Sequence, residues 1–153
     1  MSTILLSFES DWFFKLESGE KRFEYRKHFP KDQTTAYFYV SNPIKAISGI
    51  AHFDFRESLE EWKIKYADRS QEVQNRISDF ALDCRFAVPL LSFQPTNRIS
   101  LERLRQDIPG FIVPRMYYYI DDSDLLAYLN KNLIPQGQIL RYSFDTIADA
   151  DIC

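Results

Sequence analysis

The segment 16–27 constrains the fold more than any other, because it combines a helix end, a tight turn and a strongly charged strand. Gly19 follows an apolar helical pattern and can adopt the positive φ that a helix C-terminal turn requires. Residues 22–28 then favour an extended strand, in which alternate side chains share a face. Phe23 and Tyr25 should therefore point together towards a core.

The opposite face of this strand carries opposed charges. It presents Arg22, Glu24 and Arg26, and Lys21 stands at the start of the strand. A carboxylate flanked by cations favours its ionised form and fixes the cations in place, which gives a preorganised receptor for an anion. A solvated strand face with ordinary ion pairs explains the same residues equally well, since such networks are common and need not mean function.

Four residues of this segment carry a resemblance to a known family. Gly19, Lys21, Glu24 and Arg26 form the pattern G-x-K-x-x-E-x-R, which resembles the signature of the ASCH (activating signal cointegrator homology) family in the PUA-like superfamily. Further similar segments occur in the same order: a strand at 4–8, an aromatic helix at 11–16, Ser41-Asn42-Pro43, a strand at 47–51, and residues 99–104 and 114–119. The later segments resemble the longer prokaryotic members, which are described as predicted transcriptional regulators.

The composition is that of one globular domain. The chain has 153 residues, of which 45% are hydrophobic and 27% charged, and we expect a single domain over 1–153. A net charge of −3 argues against coating nucleic acid by bulk charge. Residues 15–31, however, carry six Lys or Arg against three Glu, so a local basic patch remains available.

The sequence indicates no cofactor, metal or membrane span. Cys84 and Cys153 form neither a metal pair nor a disulfide framework, which favours a reducing cytoplasmic setting. His28 and His52 lack partners at ligand spacing, so each is interpreted as an ordinary histidine rather than a zinc ligand. No phosphate loop, dinucleotide fingerprint, signal peptide or long apolar run is present.

The first third of the chain is predicted to be mostly β. Strands are expected at 3–8, 34–40 and 46–55. Ser10 is the expected N-cap of a helix with one apolar face, which carries Trp12, Phe13 and Leu16. Gly49 indicates either a bulge or a place where backbone or ligand approaches closely.

A helical insert is expected at 57–84, with Ser58 and Ser70 as helix caps. The remaining elements are expected to be a strand at 85–93 with Pro89 at an edge or bulge, a helix at 100–106, a strand at 116–120, a helix capped by Asp121 and Asp122, and a strand at 139–144. Tyr117 and Tyr119 should share one face of their strand and Tyr118 the other. The acidic C-terminal end is expected to fray.

Unevenly interleaved strands and helices favour an α+β fold over a regular βαβ array. The resemblance sharpens this to a PUA-like, partly open β-barrel of five or six strands with peripheral helices. It also implies a groove between the first helix, the motif strand and neighbouring loops.

A cationic groove with tyrosines suits single-stranded RNA or a nucleotide-like small molecule, because bases stack on aromatic rings while Lys and Arg meet phosphates. We expect Arg26 to clamp a phosphate or base edge, Lys21 to supply a mobile cation, and Glu24 to orient both or accept from a base amino group. The complete set of expected ligand-binding residues is Lys21, Arg22, Glu24, Arg26, Ser41, Tyr39 and Tyr118. A regulatory role is implied by the resemblance.

Two other classes of function stay open. Some ASCH-like proteins are similar to amidohydrolases of modified nucleosides, and nuclease activity is attributed to others, so a Lys21–Glu24 pair could do general acid/base work on RNA or a modified nucleoside. The amidohydrolases have a threonine where Glu24 stands, and the neighbouring cations make Glu24 a poor base, which favours binding. A protein-interaction module that docks a protein partner around Trp62 of the helical insert is the third possibility.

Overall fold

β-Branched and aromatic residues favour extended backbone, and most of the longer strands of the structure occupy segments rich in them. The structure is a computed structural model that describes residues 1–153. Numbered in chain order, its strands are β1 (Ser2–Phe8), β2 (Phe23–Arg26), β3 (Thr34–Val40), β4 (Ala46–Phe53), β5 (Glu57–Ser58), β6 (Phe86–Ser100), β7 (Tyr117–Tyr119) and β8 (Leu140–Arg141).

Five α-helices are interleaved with the strands. They are α1 (Ser10–Glu17), α2 (Leu59–Lys65), α3 (Gln71–Asp83), α4 (Leu101–Asp107) and α5 (Asp124–Asn132), and a 3-10 turn follows at Asp149–Asp151. Four of the helices begin after a serine whose hydroxyl accepts a hydrogen bond from the amide three residues on: Ser58, Ser70, Ser100 and Ser123. The predicted caps Ser58 and Ser70 are thus confirmed. None of these helices combines the length and the apolar character that a membrane crossing requires.

Two predicted caps are wrong by one or two positions. Ser10 is already the first residue of α1, and the cap position before it makes no side-chain hydrogen bond. Helix α5 is capped by Ser123 rather than by residues 121–122. The Asp121 carboxylate instead accepts from the amide of Thr3, so it fastens the start of β1.

The sheet runs in the order β2-β6-β4-β3-β1-β7, and the two short strands β5 and β8 also pair with β6. Strands β1 and β3 are parallel, and every other pair is antiparallel. The six strands of this path form a curled sheet, and because β2 and β7 do not pair with each other, it remains an open half-barrel. The predicted α+β fold, a partly open barrel with peripheral helices, is confirmed.

The strands bury apolar side chains on both faces, which produces three cores. The inner core fills the curve of the sheet and includes Ile4, Leu6, Phe38, Val88 and Phe93. The outer core lies on the opposite face with α4 and α5 and includes Leu5, Tyr37, Tyr39, Leu104 and Leu129. The insert core lies between β2, α2 and α3 and includes Phe23, Trp62, Val73, Ile77 and Ile152.

Pro89 lies inside the sheet, so its predicted placement at an edge is wrong. Strand β6 runs between β2 and β4, and Pro89 is paired opposite Phe23 of β2. The bulge alternative fits better, because the register between β6 and β4 shifts immediately afterwards, at residues 90–92.

The C-terminal tail is docked, and the prediction that it frays is wrong. Ile152 is fully buried in the insert core. Arg76 Nη1 donates to the Ile152 carbonyl over 2.8 Å, and Arg69 Nη1 lies 3.0 Å from the Asp149 carboxylate. The apolar residue and these two arginines of the insert together hold an acidic segment that composition alone would leave free.

Gly49 lies at a bulge, so the first of the two predicted alternatives is confirmed. The register of β4 against β6 shifts between Ile47 and Gly49, which makes this a bulge. A Cβ atom at position 49 would lie 2.6 Å from Cε1 and 2.9 Å from Cζ of the Phe93 ring. The close neighbour is therefore an inner-core side chain.

We expect Gly49→Ala to destabilise the protein by about 1–3 kcal/mol, because the Phe93 ring is fully buried and has to move within a dense core. Urea unfolding measures this loss. In a Phe93→Leu background, where the ring is absent, the same substitution should cost less. An unchanged unfolding midpoint would mean that Phe93 moves aside freely.

Candidate ligand-binding groove

A groove of about 340 Å³ opens where the end of β1, helix α1, strand β2 and the end of α3 meet. The motif strand forms one wall, and Arg115 lines the groove from the segment before β7. Three lining residues are cationic and three anionic: Arg26, Lys27 and Arg115, and Glu24, Glu9 and Asp83. The aromatic part of the wall comes from Phe8, Trp12 and Tyr25.

Glu24 is the charged centre of the groove. Its side chain is only 10% exposed, and Oε1 accepts the Tyr25 amide over 3.0 Å. The same oxygen lies 3.9 Å from Lys21 Nζ and 3.7 Å from Arg26 Nε. The structure therefore forms the carboxylate flanked by two cations that the alternation of β2 indicates.

The second carboxylate oxygen of Glu24 is buried and has no hydrogen-bond partner. A buried acceptor without a partner costs free energy, and it regains that energy when a donor arrives. Glu24 lines the groove, although this oxygen itself has almost no accessible surface.

Arg26 is held by β1 as well as by Glu24. Its Nη2 donates to the Ser7 carbonyl over 2.7 Å, and its guanidinium carbon lies 5.8 Å from the centre of the Phe8 ring. An arginine fixed at two places loses little conformational entropy when it binds a phosphate or a base edge. The end of β1 therefore preorganises the cation of the groove.

Lys21 is placed differently from the prediction. Its side chain is 6% exposed, and Nζ lies 4.8 Å from the centre of the Trp12 ring and 5.3 Å from that of Tyr25. It does not line the groove. Lys21 is therefore a fixed, buried counter-ion of Glu24, and the expectation of a mobile cation is wrong.

Trp12 faces the groove, and its predicted place on the buried face of α1 is wrong. Its side chain is 42% exposed, whereas Phe13 and Leu16 are buried in the inner core. Lys15 lies one helical turn further on, with Nζ 4.6 Å from the centre of the indole ring. This Trp-x-x-Lys spacing is the sequence signal that could have identified an exposed tryptophan beside the motif.

Two titratable groups of the groove are kept neutral. Burial, followed by the charges of Cys153 and Glu24, raises the pKa of Tyr25, whose ring stacks on Phe80 at 3.9 Å. Burial, followed by Glu24 and Asp83, raises the pKa of the Cys84 thiol. A thiol of raised pKa is a poor nucleophile near neutral pH. No group of three or more His, Cys, Asp or Glu is placed to hold a metal ion.

Besides Lys21, four of the predicted ligand-binding residues lie outside the groove. Arg22 turns away from Glu24 and pairs with Asp151 of the tail, with Nε 3.4 Å from Oδ1. Ser41 lies in the turn after β3, where its amide donates to the end of β1. Tyr39 is buried in the outer core, and the Tyr118 hydroxyl donates to the Ile112 carbonyl. The two tyrosines occupy the other face of the sheet, so they cannot join the motif strand in one site.

The face prediction for β7 is confirmed, because the rings of Tyr117 and Tyr119 lie 5.8 Å apart while Tyr118 joins the outer core. Trp62 is buried against Phe23 and Tyr25, which removes it as a docking surface on the helical insert.

Lys27 and Arg115 are groove residues that the sequence did not single out. Both are exposed, and neither belongs to any ion pair of the structure. Lys27 directly follows the motif, but Arg115 reaches the groove only through the tertiary fold. Two exposed cations that belong to no ion pair therefore line the groove.

Solved ASCH structures share the curled α+β half-barrel of this chain. The crystal structure of a Tyr-to-Phe variant of an ASCH protein from Zymomonas mobilis has a TM-score of 0.66 and 16% identity, covering 88% of this chain and 100% of that chain. The ASCH protein itself gives 0.65 and 17%, covering 87% and 96%. A Ser-to-Ala variant gives 0.62 and 17%, covering 85% and 96%. No protein-family model and no curated protein matches the sequence. The chain thus has the fold of these ASCH proteins.

Proposed function

We propose that the groove binds RNA or a nucleotide-like ligand and that the protein acts as a binding module, with a regulatory role that follows from this binding. One observation carries the proposal: a buried carboxylate with a free oxygen, a fixed guanidinium and an exposed indole line the same groove. Glu24 suits a base amino group, Arg26 a phosphate or base edge, and Trp12 the face of a base.

The charges at the groove mouth support a ligand with a phosphate. Lys27 and Arg115 have no carboxylate within ion-pair distance, so both are available to meet an anion. Stacking of one base on an aromatic ring contributes about 1–3 kcal/mol, and phosphate contacts add a term that weakens with salt. Binding should therefore be local and salt-dependent, as expected for an acidic protein with a small basic patch.

The carboxylates of Glu9 and Asp83 make the groove mixed in charge rather than uniformly basic. Such a site favours a ligand that offers hydrogen-bond donors as well as an anion, which a nucleotide does and an inorganic anion does not. Neutral Tyr25 and Cys84 offer neither a base nor a thiolate near neutral pH, which favours binding over catalysis.

Arg26→Ala is expected to weaken binding of short single-stranded RNA and of mononucleotides by about tenfold or more, because hydrogen bonds to a charged group contribute roughly 1.5–3 kcal/mol. Fluorescence anisotropy across a salt series measures the loss. Arg98→Ala is the matched control, since Arg98 is exposed, belongs to no ion pair and lies at the far end of β6. Melting curves establish that both variants are folded.

The same mixtures are then analysed for cleavage products. Intact RNA bound in a salt-dependent and Arg26-dependent manner supports a binding module. Product formation that disappears in Glu24→Gln, at a temperature where melting curves show this variant folded, would instead make the protein a hydrolase. Equal affinities for wild type and Arg26→Ala would refute the groove as the site.

A further inference from the structure

A second cationic and aromatic surface adjoins the groove. It consists of Arg56, Arg85 and Phe86, and we call it the Phe86 shelf. Phe86 is paired with Arg26 across β6 and β2, and side chains of directly paired residues lie side by side on one face of a sheet. The Arg85 amide donates to the Arg26 carbonyl over 3.1 Å. The shelf therefore begins where the groove ends.

Two guanidinium groups of the shelf gather at one ring. The guanidinium carbon of Arg56 lies 3.9 Å from the centre of the Phe86 ring, and that of Arg85 lies 5.5 Å from it. Arg56 Nη1 donates to the Phe29 carbonyl, which fixes the guanidinium in this orientation. The structure gives the remaining N–H groups of Arg56 and the whole guanidinium of Arg85 no hydrogen-bond acceptor.

Of the three acidic residues within two positions of Arg56 or Arg85, Asp83 lines the groove and belongs to no ion pair, and the other two are occupied elsewhere. Asp54 accepts from Gln33 Nε2 over 3.0 Å. Glu57 accepts from Trp62 Nε1 and pairs with Lys65. Neither Arg56 nor Arg85 belongs to any ion pair of the structure.

Stacking on Phe86 explains the position of one arginine, because a cation on an aromatic face is a common packing arrangement. Stacking does not explain why two guanidinium groups share one ring without a carboxylate within ion-pair distance. Like charges repel, and this protein has more Asp and Glu than Lys and Arg. A polyanion that spans both groups removes this repulsion. Guanidinium planes also stack on splayed bases, as aromatic rings do.

We infer that a single strand of RNA, rather than an isolated nucleotide, is the ligand, and that the nucleotide next to the one in the groove lies on the Phe86 shelf. Arg56 and Arg85 contact its phosphates, and the exposed part of the Phe86–Arg56 stack supports its base. This inference rests on the proposed function of the groove. It adds a binding subsite made of residues outside the motif.

The test compares two probes on the full-length protein: the common ribonucleoside monophosphates and short single-stranded RNA of mixed sequence. The variant is Arg56→Gln with Arg85→Gln, and the matched control is Arg98→Gln with Arg105→Gln. The control pair removes the same charge from exposed arginines outside any ion pair. Melting curves are recorded for both, and Arg85→Gln alone is included because its side chain makes no hydrogen bond that folding could need.

The shelf variant should bind RNA about tenfold more weakly than wild type while its affinity for monophosphates is unchanged. The slope of log affinity against log salt should fall by about 1.4 in magnitude, which is roughly 0.7 for each lost phosphate contact on a single strand. Arg85→Gln alone should reduce this slope by about half as much. The control pair should match wild type with both probes.

Equal RNA affinities for the shelf variant and the control pair would overturn the inference and leave the groove proposal intact. Equal weakening of monophosphate and RNA binding would also overturn it, because the arginines would then act on the groove itself. If neither probe binds to the wild-type protein in a way that Arg26→Ala weakens, the proposed function of the groove is refuted, and the inference about the Phe86 shelf is refuted with it.

Discussion

Replacing Phe23 with alanine is expected to destabilise the protein by about 3–5 kcal/mol. Phe23 is buried in the insert core, where its ring centre lies 4.8 Å from that of Trp62 and 5.0 Å from that of Phe144. Removing the ring leaves a cavity between β2, the helical insert and the docked tail.

Urea unfolding monitored by tryptophan fluorescence and by circular dichroism measures this loss. The matched control is Phe55→Ala, because the Phe55 side chain is 57% exposed and its removal should change stability by less than about 0.5 kcal/mol. RNA binding by Phe23→Ala, measured well below its unfolding midpoint, should stay close to wild type. A loss similar to that of the control would place Phe23 outside the core and refute the face assignment of β2.

The local elements could be predicted because each depends on neighbours in sequence. Gly19 ends α1 with φ of +81°, and serines cap α2 and α3 where their hydroxyls reach an amide three residues on. Alternation on β2 separates Phe23 and Tyr25 from Glu24 and Arg26, as observed. Such signals need no knowledge of the tertiary fold. The half-barrel itself came from the family resemblance.

The predictions from sequence were wrong where a second layer of side chains covers a strand or a helix. Strand β3 is buried on both faces, so alternation could not tell that Tyr39 belongs to the outer core rather than to the groove. Trp12 lies at the boundary between the buried and exposed faces of α1, where a helical pattern leaves either side open. Burial on two faces therefore removes the contrast on which such predictions depend.

Long-range partners were a second source of error. Arg22 belongs to the charged motif by sequence, yet it pairs with Asp151 near the other end of the chain and its guanidinium lies 5.3 Å from the centre of the Tyr142 ring. Arg115 enters the groove from a segment without a local motif. No spacing rule links residues so far apart, so these contacts emerge only from the tertiary structure.

Two charged residues of the motif, Lys21 and Glu24, are buried, and this burial bears on their role. A solvated strand face was one explanation of the pattern, but Lys21 and Glu24 are almost wholly removed from solvent. Two buried opposite charges contribute little net stability, because their desolvation offsets their attraction. Stability alone therefore does not explain why this ion pair is buried. A ligand-binding groove that requires a fixed carboxylate explains its burial better.

Glu24→Gln is expected to destabilise the protein by about 3–5 kcal/mol, although it preserves the size of the side chain. The substitution leaves the Lys21 ammonium, 3.9 Å away and 6% exposed, in a buried site without its carboxylate. It also removes the carboxylate 3.7 Å from Arg26. Urea unfolding at neutral pH measures the loss, and Lys21→Met should cost less, because Glu24 then keeps Arg26 as its partner.

The double variant Lys21→Met with Glu24→Leu separates the effect of the buried ion pair on stability from its effect on RNA binding. It removes both buried charges, so its stability should return to within about 2 kcal/mol of wild type. Its RNA affinity should nevertheless stay at least tenfold below wild type, since the groove has lost the acceptor that faces the base. Wild-type stability in Glu24→Gln would contradict the buried pair. Wild-type affinity in a stable double variant would mean that the Lys21 and Glu24 charges serve neither folding nor ligand binding.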